Sequence, residues 1–137
     1  MTATTAVQDW LSLKARIDTL VTDPVLPRFE PNAAVTPPAG LAPFLLISDV
    51  RNDNDRNGWV SSDLNERSGT LILAVQWPLA APVSHVQLMQ IGGTIADHFP
   101  ADLCMGRLRV TRNADVLQPY VEGAYRVVVV RVLWSSV

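Results

Sequence analysis

The hydrophobic pattern is sharpest between Ser68 and Pro100 (SGTLILAVQWPLAAPVSHVQLMQIGGTIADHFP), and the rest of the chain is arranged around it. Leu71, Leu73, Val75 and Trp77 alternate with Thr70, Ile72, Ala74 and Gln76, the period of two that predicts a strand. Both sets are fairly apolar, so the strand is expected in the middle of its sheet or with its second face covered. A helix follows. Ser84 is its expected N-cap and Gln87 completes a capping box, with Val83 and Leu88 placed as a hydrophobic staple. Leu88, Ile91, Ile95 and Phe99 run down one face, and the helix is expected to stop at Phe99-Pro100. Gly92-Gly93 costs this helix roughly 1 kcal/mol per glycine relative to alanine. The apolar stripe continues on both sides of the pair, which predicts close packing against a neighbouring backbone.

Before this unit, Ala6, Trp10, Leu13, Ile17 and Leu20 have helical spacing and predict a first helix over 5–21. Thr5 with Gln8 reads as its capping box, Trp10 as a core anchor, and Asp9, Lys14, Arg16 and Asp18 lie largely off the stripe. Asp23-Pro24 marks its end. Residues 24–43 hold six of the ten prolines, which excludes regular helix and favours extended backbone, with a short edge strand within 25–29. Phe44–Val50 is a strand candidate. It opens into RNDNDRNGWVSSDLNER (51–67), the most polar stretch, where Asn57-Gly58 is a turn signal. This stretch is either a long hairpin or a mobile loop that orders on contact. Trp59 at its tip is either a binding contact or folded back onto the domain.

After the helix, 101–105 reads as a connector. Gly106–Arg112 alternates, with Leu108, Val110 and Arg112 on one side and Arg107, Arg109 and Thr111 on the other. Residues 113–123 are turn-rich with a short strand near Val116. Tyr125–Trp134 (YRVVVVRVLW) is the longest strand signal. The expected fold is α+β, one domain over residues 1–137: a mostly antiparallel or mixed sheet with two helices packed on one face.

Composition narrows the function classes. Hydrophobic residues make up 48% and mean hydropathy is +0.17, which points to some apolar surface being buried in an assembly. No apolar run approaches a membrane span. A net charge of −2 gives no global argument for nucleic-acid binding. One cysteine, Cys104, fits a reducing compartment, and the first residues lack the basic and apolar regions of a signal peptide, so an intracellular origin is expected.

No catalytic motif is present, neither a nucleophile elbow nor a phosphate loop nor a dinucleotide fingerprint. His85 and His98 do not have zinc spacing. Asp53, Asp55 and Asn57, followed by Gly58, match the opening of a calcium loop, but the twelfth position is Leu64, Arg56 adds positive charge, and the flanks read as strands. A solvated turn is the expected reading, with no metal and no cofactor. Arg107, Arg109 and Arg112 form the one basic cluster. On a common strand face, Arg107 and Arg109 can meet acidic partners or DNA phosphates, a solvated sheet face being the alternative.

The order of elements, the S-G-x-L-x-L-x-V strand (Ser68–Val75), the helix ending in I-A-D-x-F-P (Ile95–Pro100), the Gly-led strand and the valine-rich terminal strand resemble the tail terminator proteins of long-tailed bacteriophages. The resemblance covers nearly the whole chain. It implies a homohexameric ring that caps the tail tube, stops its polymerisation and offers a surface to head-completion or connector proteins. It implies no catalysis, a place in the virion tail or neck after assembly in the host cytoplasm, and DNA passing through the lumen without specific binding. A head-to-tail ring needs two unlike, complementary surfaces. Arg51, Asp53, Asp55, Arg56, Trp59, Glu66 and Arg67 on the polar stretch, together with Arg107 and Arg109, are the candidate subunit or tube contacts. The pairing expected is Arg107 and Arg109 with Asp53, Asp55 and Glu66 of a neighbour. The alternatives are another phage neck or connector component, and a small calcium- or ligand-binding module.

Overall fold

A computed structural model describes residues 4–52, 55–56 and 65–136, the side chains of 55, 56 and 65 excepted. In chain order the elements are α1 (Thr5–Asp18), β1 (Arg28–Phe29), β2 (Phe44–Arg51), β3 (Asp55–Arg56), β4 (Asn65–Glu66), β5 (Ser68–Pro78), α2 (His85–Asp97), β6 (Cys104–Met105), β7 (Leu108–Val110), β8 (Asp115–Val116), β9 (Tyr120–Glu122) and β10 (Tyr125–Ser136). The α+β expectation holds. The main sheet runs β1-β2-β5-β10-β7-β6, with β8 and β9 also on β10. Among the described strands only β1 and β2 pair in parallel.

β5 is central, as its two apolar faces require. β10 pairs with it from Tyr125↔Pro78 to Ser135↔Ser68, and β2 from Phe44↔Gln76 to Arg51↔Gly69. Leu71, Leu73 and Val75 face the same side as Val128, Val130 and Val132, and all six are fully buried beneath the helices. Leu13 and Ile17 of α1 and Leu88, Ile91, Ile95 and Phe99 on and just after α2 complete one continuous core. On the second face Ile72, Ala74, Val129 and Leu133 are half-buried. Edge-to-face contacts of Phe44 with Phe29 and Tyr125, at 5.5 and 5.4 Å between ring centroids, lie at one end of the sheet.

The start of α2 is as expected: Ser84 Oγ accepts from the Gln87 amide at 3.1 Å and Gln87 Oε1 from the Ser84 amide at 3.0 Å. The first helix differs by one residue. Its N-cap is Thr4, whose hydroxyl accepts from the Val7 amide at 3.4 Å, so Thr5 is helical and the Thr5–Gln8 box is not formed. It also ends earlier, at Asp18. Arg28 closes that end by donating to the carbonyls of Ile17 (2.8 Å) and Leu20. Only half of the glycine pair packs closely, and against valine side chains rather than the neighbouring backbone expected. A Cβ on Gly92 would lie 2.9 Å from Val116 Cγ1 and 3.0 Å from Val128 Cγ1, whereas one on Gly93 would meet open space.

Two short strands depart from the sequence reading. Residues 104–105, expected in a connector, form β6, joined to β7 by a tight turn at Gly106-Arg107. Tyr120–Glu122, expected in a turn-rich region, forms β9 against the start of β10. The polar stretch carries a two-residue ladder, Asp55↔Glu66 and Arg56↔Asn65, so the hairpin alternative holds at its base. No helix among the described residues is long and apolar enough to cross a membrane.

Candidate functional site

The charged positions singled out by sequence fall into three groups. The first turns inward. Asp9, expected off the apolar stripe of α1, is 3% exposed, and Arg67 grips its carboxylate with Nε at 2.8 Å from Oδ2 and Nη2 at 3.2 Å from Oδ1. Arg51 reaches the same oxygen at 3.6 Å, pairs with Asp49 Oδ2 at 3.0 Å, donates to the Ala6 carbonyl at 3.1 Å and stacks over the Trp134 ring at 5.6 Å. Arg51 and Arg67 were candidate contacts for a neighbour. In the fold their guanidinium groups tie α1 to the strand ends that flank the polar hairpin.

The second group lies on that hairpin. The backbones of Asp55, Arg56 and Glu66 are paired in β3 and β4, and Glu66 is exposed. Asp53, Asn57 and Trp59 lie outside the described residues, as do the side chains of Asp55 and Arg56; the calcium-loop reading and the role of Trp59 fall there. Among the described residues no group of three or more His, Cys, Asp or Glu is placed to hold a metal ion.

The third group is Arg107 and Arg109. Both are exposed, Arg107 in the β6–β7 turn and Arg109 on the outward side of β7, between the buried Leu108 and Val110. The turn is held close to α1. Gly106 has φ +60°, and a Cβ there would fall 2.6 Å from Ser12 Oγ, so a side chain at this position is strained and must displace the Ser12 hydroxyl. Arg112 does not extend the patch, because it pairs with Asp115 at 2.7 Å. β7 pairs at Ser135 and Ser136, and β2 and β5 meet at Arg51↔Gly69. The Arg107 turn and the base of the polar hairpin therefore project from the same end of the sheet.

Sequence reasoning missed a cleft of about 250 Å³ on the other flank of α1, lined by Trp10, Glu30, Pro31, Asn32 and Asp49. Asp49 sits on β2, and Glu30 directly follows β1 at the sheet edge. Asp49 Oδ1 is buried and has no hydrogen-bond partner. Glu30 lies 3.6 Å from Lys14, which bonds Asp18 more closely at 2.9 Å. The missing signal was long-range: Trp10, Glu30 and Asp49 are brought together only by the packing of α1 on the parallel β1–β2 edge.

The C-terminal ends of the two helices are also joined. Arg16 donates through Nε and Nη2 to the His98 carbonyl at 3.0 and 2.7 Å, and His98 Nε2 lies 2.8 Å from Thr19 Oγ1. His98 is thereby a structural residue, and burial, ahead of the opposing hydrogen bond to the Arg16 carbonyl, lowers its pKa below the ordinary histidine value.

A solved structure 20% identical to this chain superposes with a TM-score of 0.70, covering 93% of this chain and 95% of its own; at that identity the likeness shows the fold alone. No curated protein matches the chain. The family model described as phage tail terminator protein matches residues 10–134, from Trp10 on α1 to Trp134 on β10. That span takes in α1 from Trp10 onward, all of α2 and every strand but for the last two residues of β10, and the chain belongs to the phage tail terminator protein family.

Proposed function

We propose that this protein forms a homohexameric ring that caps the tail tube, ends its polymerisation and presents a surface for head–tail joining. Family membership makes it a structural protein of the phage tail, which meets other tail proteins in the virion. The observation that carries the step from family to assembly is the apolar surface left open. Val25, Val21, Val86 and Val121 are 82, 80, 74 and 62% exposed. Val86, in the first turn of α2, lines a cleft with Pro24, and Val121 lines a second cleft with Tyr120 and with His85 and Leu88 of the same helix. Large apolar side chains left exposed on a subunit are stabilised when a partner covers them. The polar stretch with Asp53, Asp55, Arg56, Trp59 and Glu66 is the proposed contact with the tube or a neighbour.

Two measurements test this reading. Light scattering across a concentration series is expected to give a mass near six subunits, alone or after addition of tube ends. Electron microscopy of growing tail tubes is expected to show a ring at one end and halted elongation. Unchanged tube growth with no density at the tube end overturns the reading. Binding to the head connector and not to the tube moves the protein to another position in the neck.

A further inference from the structure

The geometry points to a specific ring contact, resting on the ring reading above: Arg107 and Arg109 of one copy insert into the Trp10–Glu30–Asp49 cleft of the next. Three observations carry this.

The cations sort cleanly. Lys14, Arg51, Arg67, Arg112 and Arg131 pair with carboxylates, and Arg16, Arg28 and Arg126 donate to backbone carbonyls. Among the described residues Arg107 and Arg109 are the Lys and Arg side chains with no hydrogen bond or ion pair. They are also presented on a short hairpin held against α1 at Gly106, so little backbone ordering cost remains when they bind.

The cleft is acidic. Its lining carries the carboxylates of Glu30 and Asp49 and no cation, with Lys14 3.6 Å from Glu30 and Arg51 3.0 Å from Asp49. Asp49 keeps 11% of its side-chain surface, spends Oδ2 on Arg51, and leaves Oδ1 without a donor. A buried acceptor with no partner is costly, and a donor delivered by another chain removes that cost. Trp10 on the cleft wall suits a guanidinium, whose flat face stacks on aromatic rings while its edge donates to carboxylates.

The two features lie on opposite flanks of α1. Ser12 faces the Gly106 turn, while Trp10 and Lys14 face the cleft and Glu30. A protrusion on one flank and a matching recess on the other make a head-to-tail contact, the type that closes into a ring. This assigns the cleft, rather than Asp53, Asp55 and Glu66, as the partner of the arginines.

The test is a charge swap read by mass in solution and on tube ends, with thermal melting to confirm that each variant is folded. Arg107→Glu with Arg109→Glu is expected to weaken assembly at least tenfold, and Glu30→Arg to weaken it similarly. Combining all three is expected to recover at least half of the loss. Charge reversal at Asp53, Asp55 and Glu66 is expected to leave the ring intact. If wild type forms rings and the arginine or Glu30 variants form them equally well, the contact is wrong while the ring reading stands. The contact is equally wrong if the polar-hairpin variant alone dissolves the ring. If wild type forms no ring, alone or on tubes, the ring reading fails and takes the contact with it.

Discussion

Arg67 holds Asp9 by two parallel hydrogen bonds across 58 residues of sequence. Asp9 is almost wholly buried while Arg67 keeps 23% of its side-chain surface, so the two partners are not equivalent. Removing the arginine strands a buried carboxylate with only the longer Arg51 contact; removing the aspartate leaves a cation that still reaches water. Arg67→Ala is therefore expected to cost about 3 kcal/mol, near the lower end for breaking a buried pair, and Asp9→Ala less. The double variant is expected to cost less than the sum. Urea denaturation of all four proteins measures the coupling, and strictly additive losses would show that the pair does not act as a unit.

Gly92 and Gly93 are adjacent in sequence and opposite in consequence. A methyl at 92 enters the van der Waals radius of two β-branched valines, the half-buried Val116 on β8 and the fully buried Val128 on β10. Gly92→Ala is expected to destabilise by about 1–3 kcal/mol through overpacking. A methyl at 93 meets nothing, and alanine is the better helix former, so Gly93→Ala is expected to stabilise by about 0.5–1 kcal/mol. Thermal melting of the two single variants gives the sign of each. A shared sign would contradict the placement of α2 on the sheet.

The first-helix cap makes a smaller, sharper comparison. The Thr4 hydroxyl bonds the Val7 amide at 3.4 Å, a long contact, while Thr5 is the first helical residue. Thr4→Ala is expected to cost about 0.5 kcal/mol, the low end for losing a cap, and Thr5→Ala to change stability by less than about half that. A larger loss at Thr5 in urea melts would restore the cap that spacing alone predicts.

What could be read from the residues tracks the length of each pattern. β5 and β10 announce themselves because each is long, 11 and 12 residues, and each fills a buried face by an alternation sustained over most of its length. α2 is legible from its capping box and its stripe. β6 and β9 are not, since two or three residues carry no period, and all three β9 residues are exposed; the long free edge of β10 defines β9, and β7 defines β6. Burial of charge was the least legible feature. Asp9 looks like a surface residue until the end of β2 and the start of β5 bring Arg51 and Arg67, themselves only partly covered, onto its carboxylate. The Thr4–Thr5 ambiguity is of another kind: both residues can cap, and backbone geometry chooses.

His98 supplies a pH dependence whose sign follows from its surroundings. Burial beside Arg16, with the Arg16 and Arg28 charges close by, lowers its pKa from 6.5, and the hydrogen bond to the Arg16 carbonyl offsets only part of this. In the folded protein the ring therefore takes up a proton at lower pH than in the unfolded chain. On acidification the unfolded state binds the proton first and is stabilised. The contribution of His98 is fully present above the unfolded value of 6.5 and is lost as pH falls below it through the depressed folded value. Replacing the ring removes this term whatever else it disturbs, so slopes are compared and not absolute stabilities. Between roughly pH 7.5 and roughly pH 5.5, wild type is expected to lose more unfolding free energy than His98→Gln, the carboxylate contributions being common to both. Equal slopes in urea melts at the two pH values would mean that the junction between the two helix ends tolerates the charged ring. His98 would then be a packing residue with no part in the acid sensitivity of the fold.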